Sequence, residues 1–130
     1  LHIYFGGAHN GKRDFVKGLL GEAAHEWIEA GELKALPEPP SGRVVVAGLE
    51  EYINDHHTDE EEAVADVLRF LERADRDGLI IILTDMGRGI VPVDPHARWL
   101  RDACGRLGQR LSRQADGITR IWYGIPQKIR

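Results

Sequence analysis

His2-Ile3-Tyr4-Phe5-Gly6-Gly7-Ala8-His9-Asn10-Gly11-Lys12 is the stretch on which the reading of the fold turns. Its first four residues are β-prone, Gly6 and Gly7 stop the run, and a helix-compatible stretch from Lys12 to Ile28 follows. Strand, glycine turn and helix in that order satisfy G-x-x-x-x-G-K, the core of a phosphate-binding loop, in the setting such a loop needs. Backbone N–H groups of the turn and the helix N-terminus converge there on phosphate oxygens, and the lysine reaches the β- and γ-phosphates. The candidate nucleotide-binding residues are therefore Gly6, Gly7, Ala8, His9, Asn10, Gly11, Lys12 and Arg13, with Lys12 also a catalytic candidate. A glycine-rich turn with no ligand is the competing reading. Position 13 breaks the motif, because the Ser or Thr whose hydroxyl would ligate Mg²⁺ is Arg13. Arg13 either clamps phosphate in place of a metal ion or points into solvent, and His9 either donates to phosphate or fills the turn.

Working outward, Pro37, Pro39 and Pro40 with Ser41 and Gly42 make a linker before Arg43 to Gly48, a buried-looking strand. Leu49 to Asn54 begins a further helix. Thr58 is read as the N-cap of a helix over Asp59 to Arg76, with Glu61 as capping-box partner and Val64, Val67, Leu68 and Leu71 as its apolar stripe. After Asp77-Gly78, the uninterrupted apolar run Leu79 to Thr84 reads as a parallel strand covered on both faces. Asp94 caps and Pro95 starts another helix, with Ala97, Leu100, Cys104, Leu107 and Leu111 at helical spacing and arginines opposite. A last strand, Ile118 to Tyr123, precedes Gly124 and a short basic tail. Four strands alternating with helices give an α/β class with a mainly parallel sheet and flanking helices.

The 130 residues suit one domain, 1–130, a single nucleotide-binding unit. At 42% hydrophobic and 29% charged the composition is globular, which excludes disordered and collagen-like classes. No apolar run approaches the roughly 20 residues a membrane helix needs. Leu1 to Phe5 lacks the basic and apolar regions of a secretory signal, and a lone Cys104 forms no intrachain disulfide, so a reducing cytoplasm is the expected setting. Residues 21–77 hold 16 acids against 5 bases, and residues 86–130 hold 9 bases against 3 acids, which makes the last third either a solvated helix face or the place for an anionic partner. That region has no aromatic-interleaved platform and the chain as a whole is acidic, so nucleic acid is not expected as a partner.

Three further blocks carry a specific likeness. Asp85-Met86-Gly87-Arg88-Gly89-Ile90-Val91-Pro92, then Ala97-Arg98-Trp99-Leu100-Arg101-Asp102 with Gly105 and Gln109-Arg110-Leu111, and finally Tyr123-Gly124-Ile125-Pro126-Gln127-Lys128-Ile129 follow one another. They resemble the adenosylcobinamide kinase/adenosylcobinamide-phosphate guanylyltransferase family, whose corresponding segments read N-E-V-G-x-G-I-V-P, R-x-F-R-D-x-x-G-x-x-N-Q and G-I-P-x-x-L/I-K. The glycine loop is similar to that family's G-G-A-x-x-G-K-S opening. The resemblance implies a RecA-like P-loop fold that binds GTP or ATP. It also implies phosphorylation of the cobinamide hydroxyl, guanylyl transfer through a histidine, and assembly into homo-oligomers. Carried over by position, Gly6, Gly7, Gly11 and Lys12 would hold phosphate, and Asp85 stands where the family has a catalytic Glu. Arg98, Arg101, Asp102 and Gln109 fall on the shared helix motif, and some of them would line the cleft toward substrate or phosphate. Their spacing lets them share one helix face, which suits phosphate and equally suits a salt-bridged structural face.

Departures from the family pattern bear on chemistry. Ala47 replaces the acid at the end of the second strand, so Mg²⁺ is an allowed cofactor whose usual ligands are absent; Glu50 or Glu51 could substitute from the next turn. The family has another strand and a nucleotidylated histidine between the first helix and the second strand. Residues 21–42 are too short for both and hold only His25, which is expected on a helix. The fold is therefore expected to lack part of the usual middle segment, and guanylyl transfer is the weaker half of the activity. The runner-up is a catalytically impaired nucleotide- or partner-binding module. His56 and His57 read as a pre-helix loop, and Trp27, Trp99 and Trp122 as core or interface residues.

Overall fold

Three apolar segments, His2–Gly6 (β1), Val44–Ala47 (β3) and Leu79–Thr84 (β4), supply the middle of a sheet that also holds Glu26–Glu29 (β2), Gly117–Trp122 (β5) and Ile125–Lys128 (β6), in the order β2-β3-β4-β1-β5-β6. The structure is a computed structural model that describes residues 1–7, 11–56, 59–85 and 94–130. Strand β2 lies at one edge, β5 runs beside β1, and β6 closes the other edge. All neighbours pair in parallel except β5 and β6, which form an antiparallel hairpin. The mixed α/β class with a mainly parallel sheet and flanking helices is the one the alternating pattern requires. No helix among the described residues is long and apolar enough to cross a membrane.

Strand periodicity divides the core between the two faces of the sheet. On one face Ile3, Val44, Val46, Ile81 and Ile118 pack against Leu49–His56 (α2), Glu60–Arg73 (α3) and Pro95–Gln114 (α4), through Ile53, Val67, Phe70, Leu107 and Leu111. On the other, Tyr4, Val45, Ile80, Ile82 and Ile121 pack against Val16 and Leu20 of Lys12–Leu20 (α1). Asp94 caps α4 by accepting from the N–H of Ala97 at 3.1 Å, and Pro95 opens the helix as expected. The charge division along the chain is partly spent inside this layer, where Arg106 of α4 pairs with Glu60 of α3.

Four local readings are corrected. The helix that begins at Lys12 ends at Leu20, where Gly21 (φ 54) turns the chain, so Trp27 and Ile28 belong to β2 and His25 precedes a strand. A strand therefore does stand between the first helix and Val44, in four residues, because Ile28 can be buried against the sheet while Glu26 faces solvent at the edge. The cap of α3 is Asp59, which accepts from the N–H groups of Glu61 and Glu62 at 2.8 and 3.2 Å; Thr58 lies outside the described residues. The basic tail is a strand, because Tyr123-Gly124 reverses the chain and residues 125–128 pair with residues 119–122.

Gly6 fixes how closely the central strands approach. A Cβ at this position would lie 2.3 Å from the carbonyl oxygen of Ile121 in β5, a backbone atom that moves only if the strand moves. Replacing Gly6 by Ala is expected to cost roughly 1–3 kcal/mol, as overpacking does, read as a lower midpoint in urea unfolding. An unchanged midpoint would mean that the β1–β5 approach is looser than described.

Candidate functional site

Parallel strands place their C-terminal ends on one edge, and in open α/β sheets ligands bind there. At that edge β1 delivers Gly6 and Gly7, and Gly11 enters α1 with φ 80, a left-handed conformation that glycine adopts without penalty. Ala8, His9 and Asn10, the crown of the glycine loop, lie outside the described residues. Lys12 is buried at 5% exposure, and its Nζ donates to the carbonyl oxygen of Gly7 at 2.8 Å. The ammonium is thus folded back across the base of the loop. Burial pulls its pKa below the usual lysine value, partly countered by the Glu50 carboxylate nearby.

Arg13 is half-exposed and is held by an ion pair. Its Nε and Nη2 form a two-point pair with the Glu29 carboxylate at 2.9 and 3.1 Å, while Trp27 Nε1 donates to the same carboxylate at 2.9 Å. The Arg13 guanidinium, with the Trp27 N–H beside it, holds the Glu29 carboxyl below its ordinary range. The residue in the hydroxyl position therefore ties the first helix to the edge strand.

A second wall rises from β3 and β4. The N–H of Asp85 donates to the carbonyl oxygen of Gly6 at 2.8 Å, which joins the end of β4 to the start of the loop. The N–H of Thr84 donates to the carboxylate of Glu50. Strand β3 stops at Ala47, so Glu50 supplies the acceptor that the next strand residue would have offered. Burial raises the Glu50 carboxyl above its ordinary range, with its hydrogen bonds from Thr84 opposing. Of the two acids weighed as substitutes at Ala47, Glu50 reaches this edge, whereas Glu51 packs its carboxylate toward Gly31 and Gly48.

Beyond Asp85 opens a cleft of about 1030 Å³ between the sheet and α4, with Glu50, Thr84, Asp85, Arg101, Asp102 and Gln109 on its wall. Ile3, Phe5, Leu83, Leu107 and Ile118 form an apolar floor. Arg101 pairs with Asp102 at 3.1 Å, an arrangement in which the guanidinium keeps donors for a further anion. Asp85, Arg101, Asp102 and Gln109 are brought together, and Arg98 is not: it sits exposed outside the cleft wall. Residues 86–93, which carry the rest of the Gly87-Arg88-Gly89 segment, lie outside the described residues. Cys104 also lines the cleft, but burial and the neighbouring Glu50 push its thiol up to about 12, so it is no nucleophile at neutral pH.

Among the described residues no histidine lines the cleft. His25 directs Nδ1 at the Ala23 carbonyl oxygen, 2.7 Å away, and His56 stacks on Tyr52 at 4.5 Å; neither lines the cleft, and His9 and His57 lie outside the described residues. Among the described residues no group of three or more His, Cys, Asp or Glu could hold a metal ion. Mg²⁺ often takes only one or two carboxylates beside substrate phosphates, and Asp85 with Glu50 meets that minimum. The Glu50–Thr84 bond escapes a motif search, since its only sequence signal is an acid three residues after a strand that ends early.

Comparison with known proteins accords with this geometry. A family model described as cobinamide kinase / cobinamide phosphate guanyltransferase matches residues 39–129, which spans β3 to β6 and begins downstream of the glycine loop. The bifunctional adenosylcobalamin biosynthesis protein CobU of Salmonella typhimurium is 38% identical over 52 residues, a segment that covers 40% of this chain and 29% of that relative. Since the family match takes in more than half of the sequence, the chain belongs to the cobinamide kinase / cobinamide phosphate guanyltransferase family.

Proposed function

We propose that the chain acts in cobalamin biosynthesis by binding ATP or GTP on its glycine loop and presenting the terminal phosphate to a cobinamide-type substrate in the cleft along α4. The observation that carries this reading is the buried Lys12 ammonium, held 2.8 Å from the Gly7 carbonyl oxygen at the sheet edge that also bears Asp85. Among the described residues Lys12 Nζ has one neutral acceptor, and an ammonium with three N–H groups then has donors left for phosphate oxygens. Incoming phosphate would restore the charge stabilisation that burial removes. Asp85 faces the same cleft as Arg101, Asp102 and Gln109, so a substrate hydroxyl there would meet a carboxylate that orients it and a guanidinium that steadies developing phosphate charge. Where Mg²⁺ binds, it neutralises charge on the transferred phosphoryl group, and Asp85 and Glu50 are the residues that would hold it.

The phosphoryl half of the family's chemistry fits these residues better than guanylyl transfer, because neither His25 nor His56 lines the cleft. A second reading, a nucleotide-binding module with reduced catalysis, is favoured by one observation: Arg13 is committed to Glu29 where a hydroxyl would serve the metal. Formation of cobinamide phosphate from cobinamide and ATP or GTP separates the two.

Titration calorimetry with ATP and with GTP is expected to show binding by the parent chain and loss of at least about tenfold in affinity for Lys12→Ala. Unaltered binding by Lys12→Ala would remove the loop from the account. Glu50 gives a pH test with a definite sign. Its folded-state pKa is raised, so its contribution to stability is full below the unfolded value of 4.5 and is lost as pH rises through the folded value. Glu50→Gln keeps an acceptor for the Thr84 N–H and removes the titration. Relative to the parent it should therefore gain stability between acid and neutral pH, and a pH-independent difference would contradict the buried carboxylate.

A further inference from the structure

Two large rings stand in solvent where the sheet turns back on itself. Trp122 ends β5 at 55% exposure, Tyr123 follows at 74%, and their ring centroids are 5.4 Å apart at 49°. The turn that holds them has positive φ at both central residues, 49° at Tyr123 and 75° at Gly124. Such hairpin turns favour Asn, Asp or Gly at the first of these positions, and a bulky side chain there is an outlier. Neither ring belongs to a core cluster, so of the two expectations for Trp122, core or interface, the core is corrected. An aromatic residue in a costly conformation, contributing little buried area, calls for a role outside folding.

Position supplies one. The backbone of Gly124 lies 3.6 Å from where a Cβ would stand on Gly11, the glycine that opens α1, and the carbonyl of Ile121 presses on Gly6. Both ends of the phosphate loop are therefore layered against the end of β5 and its turn. A nucleotide whose phosphates lie on the loop must send its ribose and base outward past the loop rim. Exposed aromatic faces hold bases by stacking, which depends on the π-face and not on the hydrogen-bonding edge.

We propose that Trp122 and Tyr123 form the platform on which the base of the bound nucleotide stacks; the inference rests on the phosphate-loop reading and extends it to the other end of the ligand. Stacking reads no exocyclic groups, so ATP and GTP bind with similar affinity and CTP, with its smaller ring, binds less tightly.

Calorimetry with ATP, GTP and inorganic tripolyphosphate on the parent, Trp122→Ala, Tyr123→Ala and Trp122→Phe tests this. The parent should bind both nucleotides about tenfold more tightly than tripolyphosphate, and each alanine variant should lose about tenfold on the nucleotides alone. Trp122→Phe should keep most of the affinity, since a ring remains. Nucleotide affinities unchanged in the alanine variants, with tripolyphosphate still bound in a Lys12-dependent manner, overturn the platform and leave the loop. Failure of the parent to bind nucleotides or tripolyphosphate removes both. If Trp122→Ala alters only the sedimentation of the protein, the rings belong to a contact between copies, and the platform is wrong.

Discussion

A side chain stands at position 6 only if a neighbouring strand moves. Gly6 lies against the carbonyl oxygen of Ile121 on one side, and on the other its own carbonyl accepts from the N–H of Asp85. Three strand ends are thereby drawn together: β1 with the glycine loop, β4 with Asp85, and β5 with its aromatic turn. Every functional element described depends on that convergence. A wider spacing would detach the loop from the cleft wall and from the turn at Tyr123-Gly124.

The exchange of a metal-ligating hydroxyl for Arg13 is structural before it is chemical. Its guanidinium is fixed by the two oxygens of Glu29, and Trp27 completes that carboxylate's hydrogen bonding. The first helix is therefore anchored to the edge strand β2 by a paired charge, where the motif would place an ion. Glu50 solves a related problem at the neighbouring strand end. It caps a β4 N–H left over when β3 stops at Ala47, and in doing so it brings a carboxylate to the edge from which the usual acid is missing.

The sheet's centre was legible because its determinants are local: an apolar run between turn residues at Leu79 to Thr84, a glycine loop after His2 to Phe5, and Asp94-Pro95 ahead of an amphipathic repeat. The edges were not. Glu26–Glu29 is four residues long, and alternating charges with Trp27 and Ile28 also suit a helix; only pairing with Val44 to Ala47 decides it. Residues 125–128 carry Pro126 and Lys128, poor strand residues tolerated at an edge. For the site, Asp85, Arg101, Asp102 and Gln109 are placed together by one helix and one strand end, whereas Arg98, about one turn nearer the start of α4, is exposed and not on the cleft wall. Glu50 and the exposed rings of Trp122 and Tyr123 needed coordinates, because their meaning lies in contacts between segments far apart in the chain.

Whether a triphosphate occupies the glycine loop is the central question. A crystal structure of the chain with a hydrolysis-resistant nucleoside triphosphate decides it. The expected result is phosphate oxygens within hydrogen-bonding distance of Lys12 Nζ, with Lys12 released from the Gly7 carbonyl and the glycine loop closed around the phosphates. A nucleotide bound elsewhere, with Lys12 still donating to Gly7, would contradict it.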